Sequence, residues 1–266
     1  MHSGSSYSLA FLRFVLGFLL VSALLLVKRM SVSLDLLHRP SIWVFSFADA
    51  GAVVSFMLAS AYTSTLVFTL IGSLSPLIVL VVAPFFGHPK LSRREIFCAI
   101  IALSASAGVA LLQDSSDTTA LLGVMLATIG ALLGAASRLA APSASTEAHP
   151  LVLMWIFTAV GSAALFVWWV LGTDLSAPSS TWLAALFVAL LPGGLGKLFV
   201  WSSASKLSPQ TVSMLSYAAP AFAIIAAIFA LDEVPSTSQA LLTFTSLAAA
   251  SFFVRTRPSA NPTVQD

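Results

Sequence analysis

Nine apolar stretches, each about as long as a bilayer-crossing helix, leave this chain little choice but to fold inside a lipid membrane. They fall at 8–27, 42–61, 64–86, 95–112, 119–137, 150–171, 181–203, 209–231 and 237–254. About 20 apolar residues cover the hydrocarbon core, and only helices or closed barrels satisfy their backbone groups there. Composition closes off the soluble alternative. Of 266 residues only 8% are charged, against about 25% in a soluble domain. A chain of this length could not cover a water-exposed surface with so few solvating groups. The expected fold class is all-α, a multi-pass membrane protein with the lipid bilayer as its first partner.

The lysines and arginines give an independent check on the span count. If the spans alternate in direction, Lys28, Arg29, Arg39, Lys90, Arg93, Arg94, Arg138, Lys206, Arg255 and Arg257 fall in connections on one side. None falls on the other side, which carries Asp114, Asp117, Asp174, Asp232 and Glu233. A missed or invented span would scramble this split. By the positive-inside rule the loaded side, C-terminus included, is cytoplasmic, and the plasma membrane is the expected location. The tail at 255–266 is polar and expected to be disordered. Other classes are poorly served. A net charge of +2 without a basic run does not suit nucleic acid. The single cysteine, Cys98, excludes an internal disulfide and a cysteine-rich metal site. His2, His38, His88 and His149 all lie outside the spans, so neither a metal nor a cofactor is expected. No cleavable signal is expected, because the first apolar run starts without a basic segment and continues into a full span.

Sliding the chain against itself finds a good register at an offset of 144 residues. Gly17 then falls on Gly161, Ser64 on Ser208, Pro76 on Pro220, Phe85 on Phe229 and Ser92 on Ser236. Each identity is weak, but the first four spans land on the last four without a gap. The fifth span has no partner after Met1. The expected unit is therefore a five-helix repeat, present as residues 1–112 without its first helix and again as 119–254. Truncation of the sequence given is expected over a native nine-span protein. Five is odd, so the two units cross the membrane in opposite senses, a recurrent plan in secondary transporters.

Three stretches carry a resemblance to a known family. The first span, SLAFLRFVLGFLLVSALLL, is an apolar run with an early Arg13-Phe14. The third and eighth spans with their exits read SLSPLIVLVVAPFFGHPKLS and YAAPAFAIIAAIFALDEVPS, a mid-helix proline followed by an aliphatic run and a turn. The end of the chain, AAIFALDEVPSTSQALLTFTSLAAASFF, reads as a closing helix pair. Together they resemble the drug/metabolite transporter superfamily, specifically its EamA-type members. The first turn, GHPKLS, lacks the acid usual there. The resemblance implies gradient-driven transport of a small metabolite or drug by alternating access, with a small-molecule substrate as partner and a homodimer left open. Consistently, the chain has no phosphate loop of the G-x-x-x-x-G-K-[ST] kind.

Ionisable groups inside a bilayer are costly and are functional candidates by default. Three are expected there: Arg13, Asp49 and Lys197. Arg13 and Lys197 are long enough to snorkel to water, and each has that structural alternative. Asp49 is short, lies about 10 Å inside its span, and needs a cavity, a partner or a proton. Since the second and seventh spans are equivalent in the repeat, Asp49 and Lys197 are expected to face one another across the cavity between repeats. Pro76 and Pro220 sit at matched places where a kink would free backbone carbonyls, although prolines are common in membrane helices anyway. Tyr62, Tyr217, Trp155 and Trp201 are further cavity candidates. Trp43, Trp168, Trp169 and Trp182 lie near span ends and are expected to anchor at the interface. The clusters LPGGLGK and SLSP suit close helix packing.

A membrane protease would need a Ser–His pair, two acids or a zinc site in the spans, and these are missing; no enzyme is expected. Charge rings or a filter loop of a channel are not evident. A non-transporting scaffold or non-functional fragment is the serious rival. A nucleotide-sugar or phosphate-ester exchanger would need several cations in its cavity. Only Lys197 and Arg13 are expected there, so a less anionic substrate is favoured.

Overall fold

A computed structural model of the chain describes residues 3–62, 65–111, 121–170, 179–204, 206–218 and 236–256. Every described regular element is helical. The helices are α1 (Ser3–Val27), α2 (Pro40–Tyr62), α3 (Thr65–Val82), α4 (Arg93–Leu111), α5 (Leu121–Glu147), α6 (Pro150–Val170), α7 (Ser179–Leu190), α8 (Lys197–Ala204), α9 (Pro209–Leu215) and α10 (Thr237–Thr256). The fold is an all-α, multi-pass membrane bundle.

Helix starts follow local chemistry. Proline opens α2, α6 and α9, where its missing N–H costs nothing. Ser208 caps α9 by accepting the Thr211 N–H at 3.3 Å. At α4, Ser92 Oγ accepts the Glu95 N–H at 3.3 Å and the Glu95 carboxylate accepts the Ser92 N–H at 2.6 Å, a reciprocal capping box. The turn after α3 closes at Gly87, whose φ of +81° suits a residue without Cβ.

Without water to drive helices together, membrane bundles associate through close packing, and small residues permit it. The buried stripe of α5 is Gly123, Ala127, Gly130, Ala131, Ala135, Ser137, Ala141 and Ala144. It lies along α2, which presents the buried Ala48, Ala52 and Ala59. Large apolar side chains such as Leu26, Val27, Phe85 and Phe244 stay exposed, as lipid-facing groups do.

The internal repeat is visible in the packing. A Cβ on Gly17 of α1 would meet Thr158 of α6 at 3.2 Å, while Gly161 of α6 packs against Phe14 of α1. Both pairs obey the 144-residue offset: Gly17 is equivalent to Gly161, and Phe14 to Thr158. Each contact is therefore the other with the repeats exchanged. The contact residue rises along α1 as it falls along α6, so the equivalent helices cross antiparallel. At the other end of the bundle Ser246 Oγ of α10 approaches the Ala102 carbonyl of α4 at 3.5 Å, again residues 144 apart. Across the bundle, α1 packs on α7 just as α6 packs on α2.

Three expectations need correction. The fifth span does not end at 137; α5 runs 27 residues to Glu147, about 40 Å of helix. Glu147 is tied to the start of α2 by a hydrogen bond from Ser41. Arg138, assigned to a connection, is therefore a mid-helix residue, and among the described residues Lys28, Arg29, Arg39, Lys90, Arg93, Arg94, Lys206 and Arg255 remain in connections or near helix ends on the loaded side. The seventh span is not one α-helix, because a π-helical segment, Leu191–Gly196, separates α7 from α8. Arg255 and Thr256 belong to α10 and not to the tail. Ser64, Pro220, Phe229, the rest of the eighth span, and the tail beyond 256 lie outside the described residues.

Candidate substrate cavity

A cavity of about 880 Å³ opens between the two repeats, within the size range of small-molecule sites. Its walls come from four places. Helix α2 supplies Phe45 and Asp49, one turn apart on a single face; α5 supplies Ser137, Arg138, Ala141 and Pro142. The π segment and α8 supply Gly196, Lys197, Phe199, Val200, Trp201 and Ser203, and α9 with its flanks supplies Leu207, Pro209, Val212, Leu215 and Ser216. These are the first half of α2, the last half of α5, and the whole of α8 and α9. All lie toward the end of the bundle where the basic connections emerge, so the cavity opens on the loaded side.

At its base Asp49 is fully engaged. One carboxylate oxygen accepts a hydrogen bond from Ser137 Oγ at 3.1 Å, and the other forms an ion pair with Lys197. The two side chains are only 14% and 18% exposed, so the pair is screened from water on most sides. Lys197 Nζ also stands 4.4 Å above the ring centre of Phe157 and 5.4 Å from that of Trp201, a cation–π arrangement that softens the cost of the charge. Trp201 meets Phe45 and Phe157 edge-on at 5.1 and 5.4 Å, giving the base a rigid aromatic wall.

Lys197 owes its place to the turn before it. In a π-helix one extra residue per turn swings the following side chains round the axis, and such bulges recur at functional sites. Gly194 makes this turn possible, since a Cβ there would stand 2.8 Å from the Ala189 carbonyl oxygen.

Arg138 lines the same cavity and donates from a guanidinium nitrogen to Ser75 Oγ at 2.9 Å. Gly134 of α5 makes room for that hydroxyl. Little in the sequence points to this residue. ASRLAAPSASTE loses hydropathy after residue 137 and holds Pro142, so it looks like a connection. The usable signal was the alanine content, which favours helix, and the later stop at His149-Pro150.

The other candidates are spread out. Trp201 is in the cavity wall. Arg13 lies in a small cleft with Phe14, Phe157 and Gly193, its guanidinium 3.8 Å from Met57 Sδ. Trp155 packs between α1 and α6, donating to Ser22 Oγ at 3.0 Å and stacking obliquely on Phe18. Pro76 is buried within α3 and does not line the cavity. Tyr217 is buried near Arg138, and its carbonyl accepts from Ser246 Oγ at 3.0 Å. Tyr62 closes α2, away from the cavity lining. Pro220 lies outside the described residues.

An inverted pair of helical repeats enclosing a charged cavity at membrane depth defines the class of membrane carriers for small solutes. The chain belongs to the EamA-like transporter family, whose family model matches residues 121–255, from the start of α5 into α10. That family is part of the drug/metabolite transporter superfamily. Among 29 chains of solved structures that match, one described only as "Crystal structure of protein" aligns with a TM-score of 0.76 and 20% identity, over 94% of this chain and 88% of that one. At that identity it supports the fold. No curated protein matches.

Proposed function

We propose that this protein is a secondary transporter that moves a small metabolite or drug by alternating access through the cavity between its repeats. The observation that carries the proposal is the Asp49–Lys197 ion pair at the cavity base, donated by equivalent spans of the two repeats. An ion pair at this depth is expensive unless a site uses it. Paired charges can separate when a substrate or proton engages one of them, and each repeat then moves with its own charge. The 880 Å³ cavity, open to one end, is the form expected of one half of such a cycle. The loaded end is the cytoplasmic one by the positive-inside rule, and the plasma membrane is the favoured location.

The test is uptake. Purified protein in liposomes should accumulate at least one solute from a mixture of small metabolites, read by mass spectrometry of the washed vesicles. A scaffold would leave vesicle contents equal to those of protein-free liposomes across every imposed proton, sodium and solute gradient.

A further inference from the structure

The sequence favours a substrate less anionic than a nucleotide sugar or phosphate ester, because only Lys197 and Arg13 are expected as cations in the cavity. Arg138 changes that premise. The cavity is lined by three ionisable groups among the described residues: Asp49, Arg138 and Lys197. The single carboxylate is already committed, one oxygen to Ser137 and the other to Lys197. Arg138 has a neutral partner, Ser75, and among the described residues no carboxylate forms an ion pair with it. A guanidinium carries five N–H donors in a planar fork, so among the described residues its one bond to a hydroxyl leaves donors for a further acceptor. Among the described residues the cavity is therefore short of one negative charge, at a depth where an unbalanced charge is costly.

Resting on the transport reading above, we propose that the substrate is a small organic monoanion, whose carboxylate is held by the Arg138 guanidinium beside Lys197 and whose apolar body lies on the Phe45–Trp201 wall. A planar carboxylate fits the guanidinium fork in two parallel hydrogen bonds, which a single ammonium cannot offer. Most of the rest of the lining is apolar, with Phe199, Val200, Val212 and Leu215 facing the same space beside the serines Ser203 and Ser216. Such a wall suits a short aliphatic or aromatic body over a sugar. A monoanion restores balance, whereas a dianionic phosphate ester would exceed it by one charge. Balance also gives Arg138 a role in the cycle: the bound anion neutralises the cavity before it closes.

Equilibrium dialysis on the purified wild-type protein tests this with matched probes of one shape and different charge: phenylacetate, phenylacetamide and phenethylamine, and likewise hexanoate, hexanamide and hexylamine. At least one carboxylate should bind about tenfold or more tightly than its amide and amine. Arg138→Gln should bring that carboxylate down to its amide's level, while Arg138→Lys retains part of the gain, with helical content and gel-filtration profile unchanged. If Arg138→Gln does not fold, the charge series on the wild type and Arg138→Lys still decides. Equal binding across charges, tighter binding of phenyl phosphate than of either carboxylate, no binding of either carboxylate, or full binding by Arg138→Gln overturns the proposal. Failure of the transport reading looks different: carboxylates bind, but no solute crosses in liposomes. If solutes cross and all are neutral or cationic, transport stands and the monoanion is wrong.

Discussion

Neutralising either member of the Asp49–Lys197 pair is expected to bring uptake to background. The carboxylate of Asp49 has both oxygens occupied, and Lys197 is held between it and two aromatic rings. Asp49→Asn leaves an ammonium without its counter-charge, and Lys197→Met leaves a carboxylate whose remaining partner among the described residues is the Ser137 hydroxyl. Removing one partner of a buried pair costs about 3–5 kcal/mol, and the insertion scale gives about 2.5–3.5 kcal/mol for a lone charge at a helix centre. Both single variants should therefore unfold at lower temperature than wild type. The double variant Asp49→Asn with Lys197→Met removes both charges and should recover most of that stability while still failing to transport. This divergence separates a functional pair from a structural one. The swap Asp49→Lys with Lys197→Asp should likewise restore assembly more than uptake. Full uptake by both single variants would remove the pair from the mechanism.

The second large effect is expected at a residue with no chemistry of its own. Gly194→Ala places a methyl 2.8 Å from the Ala189 carbonyl oxygen, a backbone atom that cannot swing aside. The π segment must then shift or revert to α-helix, at about 1–3 kcal/mol for an overpacked site. Either adjustment rotates Lys197, three residues on, away from Asp49. Since misplacement by about 1 Å can cost a hundredfold in a positioned site, uptake should fall by about tenfold or more. Gly72→Ala in α3 is the control, because its added carbon would meet only Phe56 at 3.8 Å, an ordinary contact. Uptake assays on the two variants, reconstituted side by side, check this. Equal rates would mean that the π turn does not set the position of Lys197.

The contrast between these residues shows what the sequence makes legible. Apolar length is a strong signal, so α1, α2, α4, α6 and α10 stand within a few residues of where their spans were expected. The repeat was legible because geometry constrains both copies alike: Gly17 and Gly161 are small for one shared reason, the α1–α6 crossing. Asp49 and Lys197 stood out as charges in apolar surroundings. Arg138 did not, since the helix around it is built of alanine, serine and a proline, which pack well against α2 yet score as a connection. Hydropathy measures contact with lipid, and this part of α5 faces the cavity and other helices. The π turn was hidden for another reason. LPGGLG gives glycine-rich flexibility but not the hydrogen-bond register, which depends on the Ala189 carbonyl and on packing against Met154.

Alternating access makes one position reachable from both faces of the membrane in turn. Ser216 lines the cavity at the end of α9, about 10 Å in from the loaded side, and is partly accessible there. A cysteine placed by Ser216→Cys in a Cys98→Ala background, reconstituted in one orientation, can be challenged with impermeant maleimide from each side separately. The transporter account predicts rapid labelling from the loaded side and slower but complete labelling from the opposite side. The slower reaction should disappear in the Asp49→Asn variant. Labelling from the loaded side alone, however long the exposure, would contradict alternating access through this cavity.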